Sequence, residues 1–180
     1  PSVAIGGTGR DGTAVLAALE GLALVARVLP DLIILADAGL VHRAGVWRMA
    51  ERLGLQHQLS VLPALEARRD LVLEADMLVV PEADGRQRTL LLDAMARGML
   101  VVARADPAVA CLRADETARL VQGDRGAGAP SATAWSSALL GLWQNPGTAA
   151  SLAASARAYV KSSRLASGYV RALLEAYGGR

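Results

Sequence analysis

The chain has 180 residues, a length that fits one domain of ordinary size, and 53% of them are hydrophobic, enough for a full core. Charged residues make up 20% and are spread along the chain, which excludes global disorder. The net charge is only +2 and no block of basic residues stands out, so no nucleic-acid footprint is expected.

The chain opens Pro-Ser-Val-Ala-Ile without a Met and enters a strand almost at once, so it reads as a piece of a longer protein. Val3–Ile5 is the first strand, followed by the glycine-rich turn Gly6–Gly12. Thr13–Val28 is helical, with Leu16, Leu19 and Leu22 spaced at threes along one face, until Pro30-Asp31 breaks it. Leu32–Ala36 is a strand bounded by Pro30 and by Asp37-Ala38-Gly39. Ala44–Leu53 is a helix stopped by Gly54. Leu59–Leu62 is a strand closed by Pro63, Leu65–Glu74 a short helix, and Met77–Val80 a strand closed by Pro81.

After the polar loop Glu82–Arg88, Thr89 is the expected N-cap of a helix over Leu90–Arg97, which Gly98 stops. Leu100–Ala103 and the short Arg119–Val121 complete the strands. Beyond the Gly/Ala/Pro loop Gly123–Pro130 the chain is helical: Ala132–Trp143, a break at Asn145-Pro146-Gly147, then Thr148–Tyr177. Strand–helix alternation with unbroken apolar strands is the pattern of a parallel sheet covered on both faces. About six strands suit a single doubly wound, Rossmann-like α/β domain. Its helical C-terminal tail, residues 131–180, is expected to pack across the sheet domain or against a missing partner.

Cys111, the single cysteine, excludes an internal disulfide, fits a reducing compartment and lies in an apolar run that reads as buried. His42 and His57 with one cysteine do not make a metal site. There is no signal peptide and no apolar run of about 18 residues, so nothing is expected to span a membrane.

Ligands of open α/β sheets bind beyond the carboxyl ends of the strands, near the switch in strand order. Two loops have suitable chemistry. In Gly6–Gly12 the glycines allow close backbone approach, the following helix offers free N–H groups to an anion, and Arg10 could add a phosphate contact. Gly7, Gly9 and Gly12 also satisfy the dinucleotide fingerprint, with Asp37 placed 25 residues past Gly12 as a ribose-binding acid. A tight turn with no ligand is the plain alternative. In Glu82–Arg88, the helix start at Thr89 would point amides at a phosphate, beside Arg86 and Arg88. Asp93 sits on an otherwise apolar helical segment, either facing solvent or accepting from ligand hydroxyls. Trp47, Trp135 and Trp143 are core residues or interface anchors.

The stretch Pro81–Ala103 resembles the C-terminal domain of family 4 retaining glycosyltransferases of the B-type fold. Ala75-Asp76, Pro81, Ala94-Met95-Ala96, Gly98 and Val101-Val102-Ala103 match the family's pattern directly. Leu53-Gly54-Leu55, Thr117–Val121, Ala156-Arg157 and Tyr177 resemble flanking pieces. The resemblance implies a domain that binds a UDP- or GDP-sugar, with no further cofactor, and transfers a hexose to a glycan or lipid acceptor. The acceptor would sit on an absent N-terminal domain, so this chain alone is expected to be inactive. The setting implied is polysaccharide biosynthesis in the cytoplasm, with any membrane association peripheral.

The donor-binding positions carried over are Gly6, Gly7, Thr8, Arg10, Asp84, Gly85, Arg86, Arg88, Thr89 and Asp93. Several depart from the family. Its diphosphate-binding Arg falls on Gly7, and its Lys on Asp11, with Arg10 as the neighbouring cation. The second of its two Glu residues is Asp93; the first falls on Gly85, or on Asp84 if the loop shifts by one. The usual glycine-rich loop is Arg86-Gln87-Arg88. These departures imply a divergent member, with altered donor choice or with catalysis lost and a scaffolding role left. A dinucleotide-binding oxidoreductase domain is the third reading.

Overall fold

A computed structural model describes residues 1–63, 74–123 and 128–163. Six strands form one parallel sheet: β1 (Ser2–Ile5), β2 (Ile33–Asp37), β3 (Leu59–Leu62), β4 (Met77–Val80), β5 (Leu100–Arg104) and β6 (Arg119–Val121). Their order is β3-β2-β1-β4-β5-β6, so the order reverses between β1 and β4. Every pairing is parallel. This is the doubly wound, Rossmann-like arrangement expected from the apolar strands.

Period-2 alternation sorts the strand residues onto two faces. Val3, Ile5, Ile34, Ala36, Met77, Val79, Val102 and Val121 enter one core. Ala4, Leu35, Leu78, Val80, Val101 and Ala103 enter the other. The first core is covered by α1 (Gly12–Ala26), α3 (Val46–Leu53) and α5 (Ala132–Gln144). The second is covered by α4 (Arg88–Arg97) and the buried residues Val109, Cys111 and Ala156. Cys111 is buried, as its apolar surroundings implied.

Several boundaries are placed more finely than the sequence reading had them. The helix expected over Ala44–Leu53 is α3, starting at Val46, and a further helix, α2 (Ala38–Ala44), precedes it across Gly45 at φ 68°. Asp37 does not merely end a strand; its Oδ1 accepts from the Gly39 and Leu40 amides and starts α2 directly. Thr89 is not an N-cap. Gln87 holds that position, α4 starts at Arg88, and Thr89 lies in the first turn. The break expected at Asn145-Pro146-Gly147 falls at Asn145, and Pro146 opens α6 (Pro146–Ser163), where a missing N–H costs nothing. The helix read over Leu65–Glu74, apart from Glu74, and the tail beyond Ser163 lie outside the described residues.

The described part of the tail packs on the sheet domain. Trp135 of α5 is fully buried and Trp143 packs against the same core, while Trp47 is exposed. The α1–α5 contact needs Gly21: a Cβ there would lie 2.5 Å from Trp135 Cβ and 2.9 Å from the Ala132 carbonyl oxygen. Arg157 of α6 donates from Nε to the Ala96 carbonyl on α4. Among the described residues no helix is long and apolar enough to cross a membrane.

Gly21→Ala is expected to destabilise the chain, because overpacking against backbone costs about 1–3 kcal/mol and outweighs a helix-propensity gain of about 1 kcal/mol. Gly141 of α5 has open space around its Cβ position, so Gly141→Ala is expected to stabilise by up to about 1 kcal/mol. Urea unfolding of the two variants beside the parent chain checks the opposite signs.

Candidate functional site

The switch in strand order places the turn after β1 beside the loop after β4. These are the two loops whose sequences suggested ligand chemistry. What joins them is Glu82, the residue after Pro81. Its side chain is 3% exposed, and its carboxylate is aimed into the Gly6–Asp11 turn.

Oε2 accepts from the Thr8 amide and, at 3.0 Å, from the Gly9 amide. Oε1 accepts from the Asp11 amide at 2.8 Å and from Thr8 Oγ1 at 3.1 Å. The local sequence explains why these amides converge. Gly9 takes the left-handed φ of 74°, and Asp11 caps α1 by accepting from the Ala14 amide at 3.1 Å. The result is a nest of N–H donors at the positive end of a 15-residue helix. Glu82 fills it. A Cβ on Gly7 would lie 2.5 Å from Glu82 Oε2, so the absent side chain at position 7 is the room that the carboxylate occupies.

The surrounding charges lock the same turn. Arg104, at the end of β5, pairs with Asp11 at 3.0 Å. Arg43 of α2 donates from Nε to the Thr8 carbonyl. A Cβ on Gly6 would lie 2.7 Å from Leu90 Cδ2, so that leucine would have to shift to admit a side chain. In the second loop, Gly85 has φ 70° and its amide donates to Asp106 Oδ2 at 2.8 Å. Asp84 accepts from the Arg86 amide at 3.0 Å, and its Oδ2 lies 3.4 Å from Thr8 Oγ1. Gln87 is buried, caps α4 without a side-chain hydrogen bond, and its Nε2 has no partner.

Of the residues singled out from sequence, Gly6, Gly7, Thr8, Asp84 and Gly85 thus meet at the switch point. Arg10, Arg86, Arg88 and Thr89 are exposed around it, and Asp93 lies on the exposed side of α4. His42 and His57 are exposed, and no group of three or more metal-ligating side chains occurs among the described residues. Asp37 spends one carboxylate oxygen on capping α2. Sequence reasoning missed Glu82, Arg43, Arg104 and Asp106. Glu82 carried one usable signal: an acid directly after Pro81, opposite a turn whose expected Arg is a glycine.

Burial alone would raise the Glu82 pKa, but the bonds from Asp11, Gly9 and Thr8 outweigh it and hold the carboxyl below its ordinary value. A depressed folded pKa contributes stability that is present above the unfolded value of about 4.3 and is lost as pH falls through the folded one. Glu82→Gln should therefore flatten the acid limb of the stability profile below about pH 4.3. At neutral pH it should cost about 1–3 kcal/mol, since an amide sets its own –NH2 against N–H donors. Denaturant unfolding from pH 3 to 8, in steps, checks both.

The fold and crevice define an open doubly wound domain with an anion-type nest and a second, uncapped helix start at its switch point. Solved structures similar to this fold include glycosyltransferases. The chain aligns with a glycosyltransferase from Rickettsia africae at 17% identity, TM-score 0.77, over 98% of this chain and 47% of that one. With Anabaena HepE in complex with UDP and glucose the figures are 16%, 0.75, 99% and 48%. With the C-terminal domain of a glycosyl transferase group 1 family protein from Francisella tularensis they are 16%, 0.69, 90% and 85%. The chain thus spans about half the length of the two longer structures and most of the isolated C-terminal domain. No protein-family model and no curated protein matches the sequence. The chain has the fold of a C-terminal, Rossmann-like glycosyltransferase domain.

Proposed function

We propose that this chain is the sugar-nucleotide-binding half of a two-domain glycosyltransferase. It would take a UDP- or GDP-linked hexose, and the partner half would hold a glycan or lipid acceptor. The observation that carries the reading is the start of α4. Its N-cap, Gln87, makes no side-chain capping bond, so the first-turn amides of Arg88 and Thr89 are open to an anion. Arg86 and Arg88 are exposed beside it. HepE, with the same fold, has been solved with UDP and with UDP-glucose.

In retaining transfer the leaving diphosphate has to be stabilised as negative charge develops on it. Helix-start amides and guanidinium groups supply that stabilisation without moving, and guanidinium–phosphate pairs add direction. Asp84 and Asp93 are the carboxylates available for sugar or ribose hydroxyls. The part of the site after β1 contributes differently: Asp11, where the family has a cation, is itself paired with Arg104.

A second reading is a catalytically degenerate scaffold in polysaccharide assembly, and Glu82 in the Gly6–Asp11 nest is what favours it. The dinucleotide reading is weakened by the same contact and by the capping role of Asp37.

Calorimetric titration with UDP, GDP and their hexose conjugates tests the proposal. Binding is expected with at least one nucleotide, and Arg86→Ala and Arg88→Ala should each weaken it by about ten- to a hundredfold, the loss of one charge-assisted bond. No heat with either nucleotide at millimolar concentration contradicts it. Binding without transfer by the full-length protein, across a panel of sugar donors, favours the scaffold.

A further inference from the structure

The switch point offers two helix starts to an anion, those of α1 and α4, and among the described residues the α4 start has no side-chain capping bond. At α1, three backbone amides and one hydroxyl already converge on a single carboxylate that is 3% exposed. We propose that Glu82 is a built-in occupant of the turn after β1, barring ligand phosphate from it.

The argument is one of space, charge and desolvation. A phosphate oxygen seeking the Thr8, Gly9 and Asp11 amides has to take the positions that Oε1 and Oε2 hold. The two anions exclude each other, because both need the same N–H groups and repel at contact distance. Expelling Glu82 breaks several hydrogen bonds to an ionised group, each among the stronger kind. Gly7 belongs to the same device. Its Cβ position is 2.5 Å from Glu82 Oε2, so a side chain at 7 and the carboxylate of 82 cannot both be accommodated in this arrangement. Two neighbouring cations are committed elsewhere: Arg104 pairs with Asp11, and Arg43 donates to the Thr8 carbonyl. The turn keeps the glycine pattern of a phosphate-binding loop but is complete without a phosphate.

The consequence is selectivity by position. It rests on the proposed function only for what binds at α4; the exclusion at α1 stands on the hydrogen bonds alone. The test keeps the two apart by following backbone amide signals in NMR spectra of the 15N-labelled chain during titration with inorganic pyrophosphate, against sodium chloride of matched ionic strength. In the parent chain the Thr8, Gly9 and Asp11 signals are expected to stay in place. In Glu82→Ser the same three signals are expected to shift with pyrophosphate and saturate. Should the serine variant not fold, Glu82→Ala carries the comparison, because it likewise vacates the positions that Oε1 and Oε2 hold. Shifts of Thr8, Gly9 and Asp11 in the parent chain overturn the proposal. So does a folded variant in which they remain still. The Arg88 and Thr89 signals report separately on the sugar-nucleotide reading: if they never respond while the Glu82 contrast holds, that reading fails and this one stands.

Discussion

The switch-point architecture depends on one buried carboxylate. Glu82 reaches from the end of β4 into the turn that follows β1, and its two oxygens gather the amides of Thr8, Gly9 and Asp11 and the Thr8 hydroxyl. A buried charge is tolerated only when its hydrogen-bonding capacity is met. Here it is met by groups that would otherwise be orphaned at a helix start. The arrangement satisfies both sides at once: the helix gains an anion at its positive end, and the carboxylate gains donors that do not have to move. Other contacts extend the net from this centre. Arg104 ties β5 to Asp11, Asp106 ties the segment after β5 to Gly85, and Arg43 ties α2 to the Thr8 carbonyl.

This net sets the functional reading against itself at one point. The fold is that of a glycosyltransferase C-terminal domain, and the crevice lies where such a sheet binds ligands. The turn after β1, however, is neutralised from within, and the position expected to carry a lysine is an aspartate in an ion pair. Among the described residues, the start of α4 shows no such occupant. Its N-cap lacks a side-chain bond, and two arginines stand exposed beside it. On the proposed function, the departures in sequence leave a donor site that relies on one helix start.

Much of the architecture was legible before the coordinates. Unbroken apolar runs such as Leu32–Ala36 and Met77–Val80 have no polar face, which is the pattern of strands covered on both sides. Glycines 54 and 98 end helices in the left-handed conformation, as their placement indicated. Local signals failed where one residue serves two elements. Asp37 ends β2 and caps α2 together, so its sequence marks the strand boundary and not the helix that follows. The ligand loops were legible as loops, but their internal occupation was not. Thr8 and Glu82 are 74 positions apart, and only the pairing of β1 with β4 brings them together. Periodicity and spacing carry no information about such a contact; the glycine at position 7 and the acid at 82 become meaningful only as a pair.

The most direct measurement is a crystal structure of this chain grown with uridine diphosphate. The account expects Glu82 to keep its bonds to the Thr8, Gly9 and Asp11 amides while the diphosphate lies against Arg88 and Thr89 at the start of α4. A phosphate oxygen seated on the Thr8, Gly9 and Asp11 amides, with Glu82 turned out of the turn, would contradict it.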